Sequence, residues 1–197
     1  MPHIRLSKSL LALAFAVALA GHTLPAAADV QGIFKMGYDF GGDEMVTVPF
    51  TDGSTKTIKA NEGFNLGGGI AFHNRDRTWE LDLTLAYKFK LINASNADVT
   101  WSTVPFEALA FYRFDYLRLG GGVAYHINPR LEGSGVASNL DIKFKDALGG
   151  IVQVDWLITE NVALGLRYTF LEYEAKAPFT GTAKSDGAGV TFSWNFF

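Results

Sequence analysis

Residues 78–91, TWELDLTLAYKFKL, alternate in polarity for 14 residues without a break. Trp79, Leu81, Leu83, Leu85, Tyr87, Phe89 and Leu91 occupy one phase. Thr78, Glu80, Asp82, Thr84, Ala86, Lys88 and Lys90 occupy the other. Successive side chains of a strand point to opposite faces, so this segment has one wholly apolar face and one polar or small-residue face. Soluble strands usually end after ~5–6 residues. A tilted strand crossing a bilayer needs roughly 9–11. Length and sidedness together predict a lipid-facing strand of a closed barrel, the only sheet form that pairs all its backbone groups in hydrocarbon.

The same pattern recurs along the chain. Strands are predicted over about 30–40, 62–72, 78–91, 100–114, 116–127, 140–158, 162–172 and 187–197. Long connections follow the first, third, fifth and seventh of these, and tight turns follow the second, fourth and sixth. Eight strands with loops and turns alternating in this way form an outer-membrane barrel. The first long connection, 44–60, carries Asp52-Gly53 between β-prone flanks and is predicted to extend as a hairpin. The other loops are placed at 91–98, 128–139 and 175–186. Pro105 cannot donate to a ladder, so a bulge or a gap in pairing is predicted there. A second bulge is predicted at Asp146, which breaks the alternation after Leu140, Ile142 and Phe144, all three assigned to the outward face.

A soluble eight-stranded barrel has the reverse arrangement, polar outside and apolar inside. Three features favour the membrane form. Aromatics gather at both ends of the apolar stripes: Phe72, Trp79, Tyr112, Trp156 and Trp194 on the turn side, and Tyr38, Tyr87, Tyr125 and Tyr168 on the loop side. This is the girdle expected at two lipid–water interfaces. The inner positions are rich in glycine and alanine, which suits a narrow interior. The last residues, Phe196 and Phe197, are aromatic.

The first 28 residues read as a secretory signal peptide. Arg5 and Lys8 precede an uncharged run from Leu10 to Ala20, and Ala26-Ala27-Ala28 closes it. The run is too short for a transmembrane helix. The expected mature domain spans 29–197. Without Arg5 and Lys8, the 17 basic residues fall to 15 against 20 acidic, a formal charge of −5, so a basic nucleic-acid footprint is missing. There is no cysteine, which excludes disulfides and thiolate metal sites.

The signal peptide, the alternating strands and the terminal SWNFF resemble the small OmpA/OmpX-type outer-membrane β-barrel proteins of Gram-negative bacteria. The resemblance covers essentially the whole mature chain. It implies an all-β, eight-stranded antiparallel up-and-down transmembrane barrel in the bacterial outer membrane. It also implies an assembly signal at Phe196 or Phe197, read by the barrel-assembly machinery. The expected partners are that machinery, outer-membrane lipid and lipopolysaccharide, with no nucleic acid. A monomer is expected because closure leaves no free edge.

The inward phase places Lys35, Glu80, Asp82, Glu107, Arg118, Asp155 and Arg167 inside a barrel only wide enough for side chains to fill. Buried charges must pair, so Glu107 and Asp82 are expected to meet Arg118, Arg167 or Lys35 in a polar plug. Leu66-Gly67-Gly68-Gly69-Ile70-Ala71-Phe72 recurs as Leu119-Gly120-Gly121-Gly122-Val123-Ala124-Tyr125. No helix follows either copy, so neither is a phosphate loop. The glycines suit tight bending, and the repeat is compatible with hairpin duplication. His73 and His126, the only histidines of the mature chain, fall at a turn and at a loop rim, too far apart to share an ion. No cofactor, metal or catalytic residue is expected. The leading expectation is a non-enzymatic envelope protein displaying loops. Two other readings are weighed beside it: a narrow pore for small or apolar solutes, and a lipid A-modifying enzyme using His126 with Ser134 or Ser138.

Overall fold

In the computed structural model, residues 29–49, 55–93 and 97–196 are described. The strands are β1 (Asp29–Asp39), β2 (Glu44–Pro49), β3 (Thr55–Lys59), β4 (Gly63–His73), β5 (Trp79–Asn93), β6 (Asp98–Arg113) and β7 (Leu117–Gly133). They continue with β8 (Asp141–Lys143), β9 (Ala147–Leu157), β10 (Val162–Phe170), β11 (Glu172–Glu174), β12 (Thr182–Lys184) and β13 (Gly187–Phe196). Eight of them close a ring in the order β1-β4-β5-β6-β7-β9-β10-β13, every pairing antiparallel, with β1 against β13 as the seam. The expected signal peptide, the Asp52-Gly53 turn and Phe197 lie outside the described residues.

The faces fall as the alternation requires. Glu80 and Asp82 are 2% and 0% exposed, while Leu85 is 52% exposed on the outer wall. Apolar side chains on the perimeter and ionic ones at the axis define a barrel whose solvent is hydrocarbon. Trp79 packs edge-on against Tyr112 at the turn end. Trp156 and Trp194 are exposed at the same end, and Tyr87, Tyr125 and Tyr168 are exposed at the loop end.

Both triple-glycine segments sit where neighbouring backbone comes closest. A Cβ at Gly69 would run into the Leu83 carbonyl oxygen, and one at Gly122 into the Ala108 carbonyl oxygen. The two copies lie on β4 and β7, the second and fifth strands of the ring. They therefore cross the membrane in opposite directions. A duplicated hairpin would keep its direction, so hairpin duplication does not account for the repeat; tight curvature at both places does.

The strands extend beyond the predicted limits on the loop side. β5 continues to Asn93 and β7 to Gly133, through the start of two segments expected to be loops. Pairing of β5 with β6 lapses between Leu85↔Phe106 and Lys88↔Thr103, around Pro105. The register of β6 with β7 slips by one between Ser102 and Val104, because Asn128 and Pro129 stand opposite the single residue Thr103. Asn128 takes a φ of 50°, and Asp146 accepts its backbone N–H at 2.9 Å. The added residue reverses the alternation, turning Leu131 inward where Ala124 and His126 face inward below it.

A parallel reversal occurs at Lys145-Asp146, between β8 and β9. It corrects the expectation for Leu140, Ile142 and Phe144, which face inward rather than toward lipid. Phe144 is 6% exposed, and Leu140 and Ile142 pack against the same buried cluster. The first and fourth connections carry their own hairpins, β2–β3 and β11–β12. Their apolar sides meet over the barrel mouth.

Candidate functional site: a two-tier lumen beneath an apolar cap

Inward positions on all eight barrel strands converge on the axis, and their charges sort into two tiers. In the turn-side tier, Arg118 on β7 is the hub. It donates to Asp155 at 2.6 Å, to Ser193 at 2.8 Å and to Glu80, and it lies 3.7 Å from Asp82. Its guanidinium also stacks 4.3 Å from the centre of the Phe111 ring. Glu80 accepts further bonds from Arg113 at 3.1 Å and Asn195 at 3.1 Å. His73, expected at a turn, is 1% exposed and stands 3.8 Å from Glu80.

In the loop-side tier the hub is Arg167 on β10. It donates to both oxygens of Asp39, at 2.8 and 2.6 Å, and to Glu107 at 2.9 Å. Lys88 meets Asp39 at 2.9 Å and donates to Asn61 at 2.9 Å. Asn65 donates to Asp39 at 3.1 Å, and Lys35 lies 3.6 Å from Glu107. All seven charged residues singled out from the sequence are therefore inside. Glu80, Asp82, Arg118 and Asp155 share the turn-side tier; Lys35, Glu107 and Arg167 share the loop-side tier.

Several of these contacts are chords rather than neighbour pairs. Arg118 and Ser193 stand three strands apart around the ring of eight, as do Arg167 and Glu107, and Asn195 and Glu80. Chords of that span cross close to the axis. Room for them comes from small partners. A Cβ at Gly165 would collide with the Asp155 carboxylate, and one at Gly189 with the Asp39 carboxylate.

Asp39, Lys88, Arg113, Asn61, Asn65, Ser193 and Asn195 complete the networks and were not singled out from the sequence. Asp39 and Lys88 share the inward phase with Lys35 and Glu80, so parity alone could have added them. Asn61 could not have been found that way, because it reaches the lumen from the turn after β3.

Above the loop-side tier the chemistry changes. Trp101, Phe144, Tyr173, Ile58, Ile92, Val99, Leu131 and Leu171 are all buried in one cluster, drawn from barrel strand ends and from both outer hairpins. Trp101 meets Phe144 and Tyr173 edge-on, at 5.6 and 5.2 Å between ring centres. Tyr173 joins the cap to the lumen: its hydroxyl lies 2.6 Å from His126 Nδ1. Burial pushes the Tyr173 hydroxyl well above the usual tyrosine range, so it stays protonated. His126 corrects its rim assignment, being 3% exposed beneath the cap. At the perimeter, Lys90 and Tyr38 both donate to Glu62, at 2.9 and 3.0 Å. Burial works to raise the Glu62 carboxyl, but these two bonds outweigh it and hold the group below the usual glutamate range.

Phe196 faces outward beside β1, its ring occupying the space a side chain at Gly32 would fill. Among the described residues there is no cluster of three histidine or carboxylate groups able to hold a metal ion.

A family profile described as "Outer membrane protein beta-barrel domain" matches residues 12–196. Among solved structures, Ail, the attachment invasion locus protein of Yersinia pestis, is similar in complex with the heparin analogue sucrose octasulfate. The TM-score is 0.52 at 13% identity, over 86% of this chain and 99% of that one. A second structure of Ail gives 0.51 at 16% identity, over 85% and 97%. Neisserial surface protein A gives 0.47 at 12% identity, over 86% and 98%. No curated protein matches the chain.

Proposed function

This chain belongs to the outer-membrane protein β-barrel family and resides in the bacterial outer membrane, and on that premise we propose that it is a non-enzymatic, monomeric, closed scaffold. It holds an ordered cap at the cell surface and contributes to envelope integrity. The observation that carries this reading is the pair of cross-lumen hubs beneath an apolar cap. Arg118 and Arg167 tie opposite walls together, and the cluster around Trp101 covers the outer mouth. A solute path would have to break charge-assisted bonds in both tiers and then displace a packed aromatic core. Such buried pairs are strongly destabilised by losing one partner, so they act as ties.

The cap also supports the display reading. Loops on a rigid scaffold are the usual place for recognition, and here they are ordered by their own hydrophobic core. The structure of Ail with a heparin analogue is consistent with surface recognition on this fold.

The test is reconstitution of the full chain in planar bilayers, together with mass spectrometry of lipid A from cells overproducing it. Absent stepwise conductance and an unchanged lipid A spectrum are the expected results. Steady conductance abolished by bulky substitutions around Lys35, Glu107 and Arg167 would move the assignment to a narrow pore. Altered lipid A mass, lost in His126→Ala, would move it to an enzyme.

A further inference from the structure

The turn-side end carries a cleft that belongs to neither the lumen nor the cap. It has a volume of about 480 Å³ and lies among the three tight turns, with Asp76, Arg77, Phe114, Asp115, Tyr116 and Glu160 in its lining. Asn74 shapes the first turn, accepting the Trp79 N–H at 2.9 Å and donating to Thr78 at 2.8 Å. Phe114 N–H donates to the Leu117 carbonyl at 2.7 Å, which closes the second turn with Asp115 and Tyr116 at its tip. Arg77, on the first turn, lies 3.5 Å from Glu160 on the third. The short turns of such a barrel face the periplasm, so the cleft opens there.

The cations of the lining are committed to other groups. Arg113 donates to Glu80 in the lumen at 3.1 Å and to the Glu160 carbonyl at 2.9 Å. Arg77 donates to Asp29 at 3.0 Å. Its contact with the Glu160 carboxylate is solvent-exposed, a kind of pair worth little. Arg75, the remaining cation of the first turn, lies outside the lining. Among the described residues, Asp76 and Asp115 make no ion pair, and both are exposed. The cleft therefore keeps a surplus of negative charge.

The walls beside that charge are apolar. Phe114 and Tyr116 flank Asp115 and are 52% and 73% exposed. Leu157 and Ile158 continue the apolar side. Phe114 stands two residues past Tyr112 of the girdle. At ~3.3 Å per residue and a tilt near ~40°, that is about 5 Å farther from the bilayer centre. Carboxylates beside aromatic faces hold a guanidinium or ammonium head, and an apolar wall takes its aliphatic stem. Clefts of roughly 300–1,000 Å³ enclose a drug-sized ligand, so an extended segment enters this one and a folded domain does not. We propose that the cleft docks a basic peptide segment of a periplasmic protein, tethering the barrel from the inner side of the outer membrane. The site lies outside the lumen, so it stands whether or not the barrel is sealed.

The experiment uses the full chain in phosphatidylcholine nanodiscs, which leave both membrane faces accessible. The probe is an end-blocked octapeptide of alternating alanine and arginine, with binding read by calorimetry. Asp115→Asn and Tyr116→Ala are each expected to weaken binding about 3–5-fold, and Asp76→Asn with Asp115→Asn about 10-fold. Asp98→Asn removes the same charge from an exposed position at the outer end of β6 and should match wild type. A peptide of alternating alanine and glutamate should not bind. Equal binding by wild type and the double variant overturns the proposal. So does an equal loss in Asp98→Asn, which would reduce the effect to net charge. Spermidine binding as tightly as the peptide also overturns it and assigns the cleft to a small polyamine. The chain has no cysteine, so Tyr116→Cys accepts a single nitroxide label. That label should be reached by a water-soluble relaxation agent and shielded by the peptide; a label reached only from the lipid phase would place the turn tip in the bilayer and overturn the docking site.

Discussion

Arg167 on β10 holds both carboxylate oxygens of Asp39 on β1, at 2.8 and 2.6 Å, although the two residues are 128 positions apart in sequence. The pair reaches across β13 and is joined by Glu107 from the far wall. Closure of the ring is thus fixed from inside as well as along its seam.

Removing one member of this group leaves the others buried and unbalanced. Arg167→Ala should lower the unfolding free energy by about 3–5 kcal/mol, the usual cost of breaking a buried pair. An apolar replacement of the pair, Arg167→Met with Asp39→Leu, should cost less than the single truncation. Urea titrations of refolded protein in lipid vesicles compare the two.

The outer wall tolerates charge poorly. Leu83→Arg, on the lipid face midway along β5, should destabilise the barrel by about 2–4 kcal/mol. The same change at Leu91, beyond the tyrosine level, should cost ~1 kcal/mol or less. Reversal of that order in vesicle unfolding would show that the apolar stripe does not face hydrocarbon.

Gly165 leaves the space that the Asp155 carboxylate occupies beside Thr191. Gly165→Ala should therefore displace Asp155 from Arg118 and cost about 1–3 kcal/mol, as overpacking does. In an Asp155→Ala background the added cost should shrink. A double-mutant cycle measures that coupling.

The cap has its own core and should melt separately. Trp101→Ala removes its central ring and should cost about 3–5 kcal/mol of local stability. The outer hairpins should become open to protease, while the fragment between the two aromatic girdles stays resistant.

Glu62 gives a pH signature at the perimeter. Its folded pKa is depressed, so its contribution is complete above the unfolded value, near ~4.3. It is lost as pH falls through the lower folded value. Proteolysis of the β2–β3 hairpin should be unchanged from pH 7 to 5 and rise only in stronger acid. Glu62→Gln should remove that acid step.

Much of the barrel was legible because one rule, period-two alternation, governs both its wall and its lining. Residues 78–91 separate the two faces. The aromatic girdles, the small inner residues and the aromatic end favour the apolar face as the one toward lipid, and the lumen charges follow by parity. What alternation could not supply was any residue whose position depends on a break in it. Phe144 was assigned to lipid because the chain looks regular up to Asp146. The register shift that turns Phe144 inward comes from hydrogen bonds between distant segments. Asn61 and Tyr173 reach the interior from hairpins, where strand phase gives no address. The space left by Gly165 and Gly189 for carboxylates on other strands is likewise a property of the closed ring, not of any local stretch.

The extra residue at Asn128-Pro129 makes the cap and the membrane wall independent in frame. Deleting Asn128 would leave every contact below Thr103 where it stands while rotating the outer end of β7 by half a period. Leu131 would then face water and Arg130 the aromatic cluster. Selection can therefore rewrite the surface-exposed storey of this protein without renegotiating the one embedded in lipid.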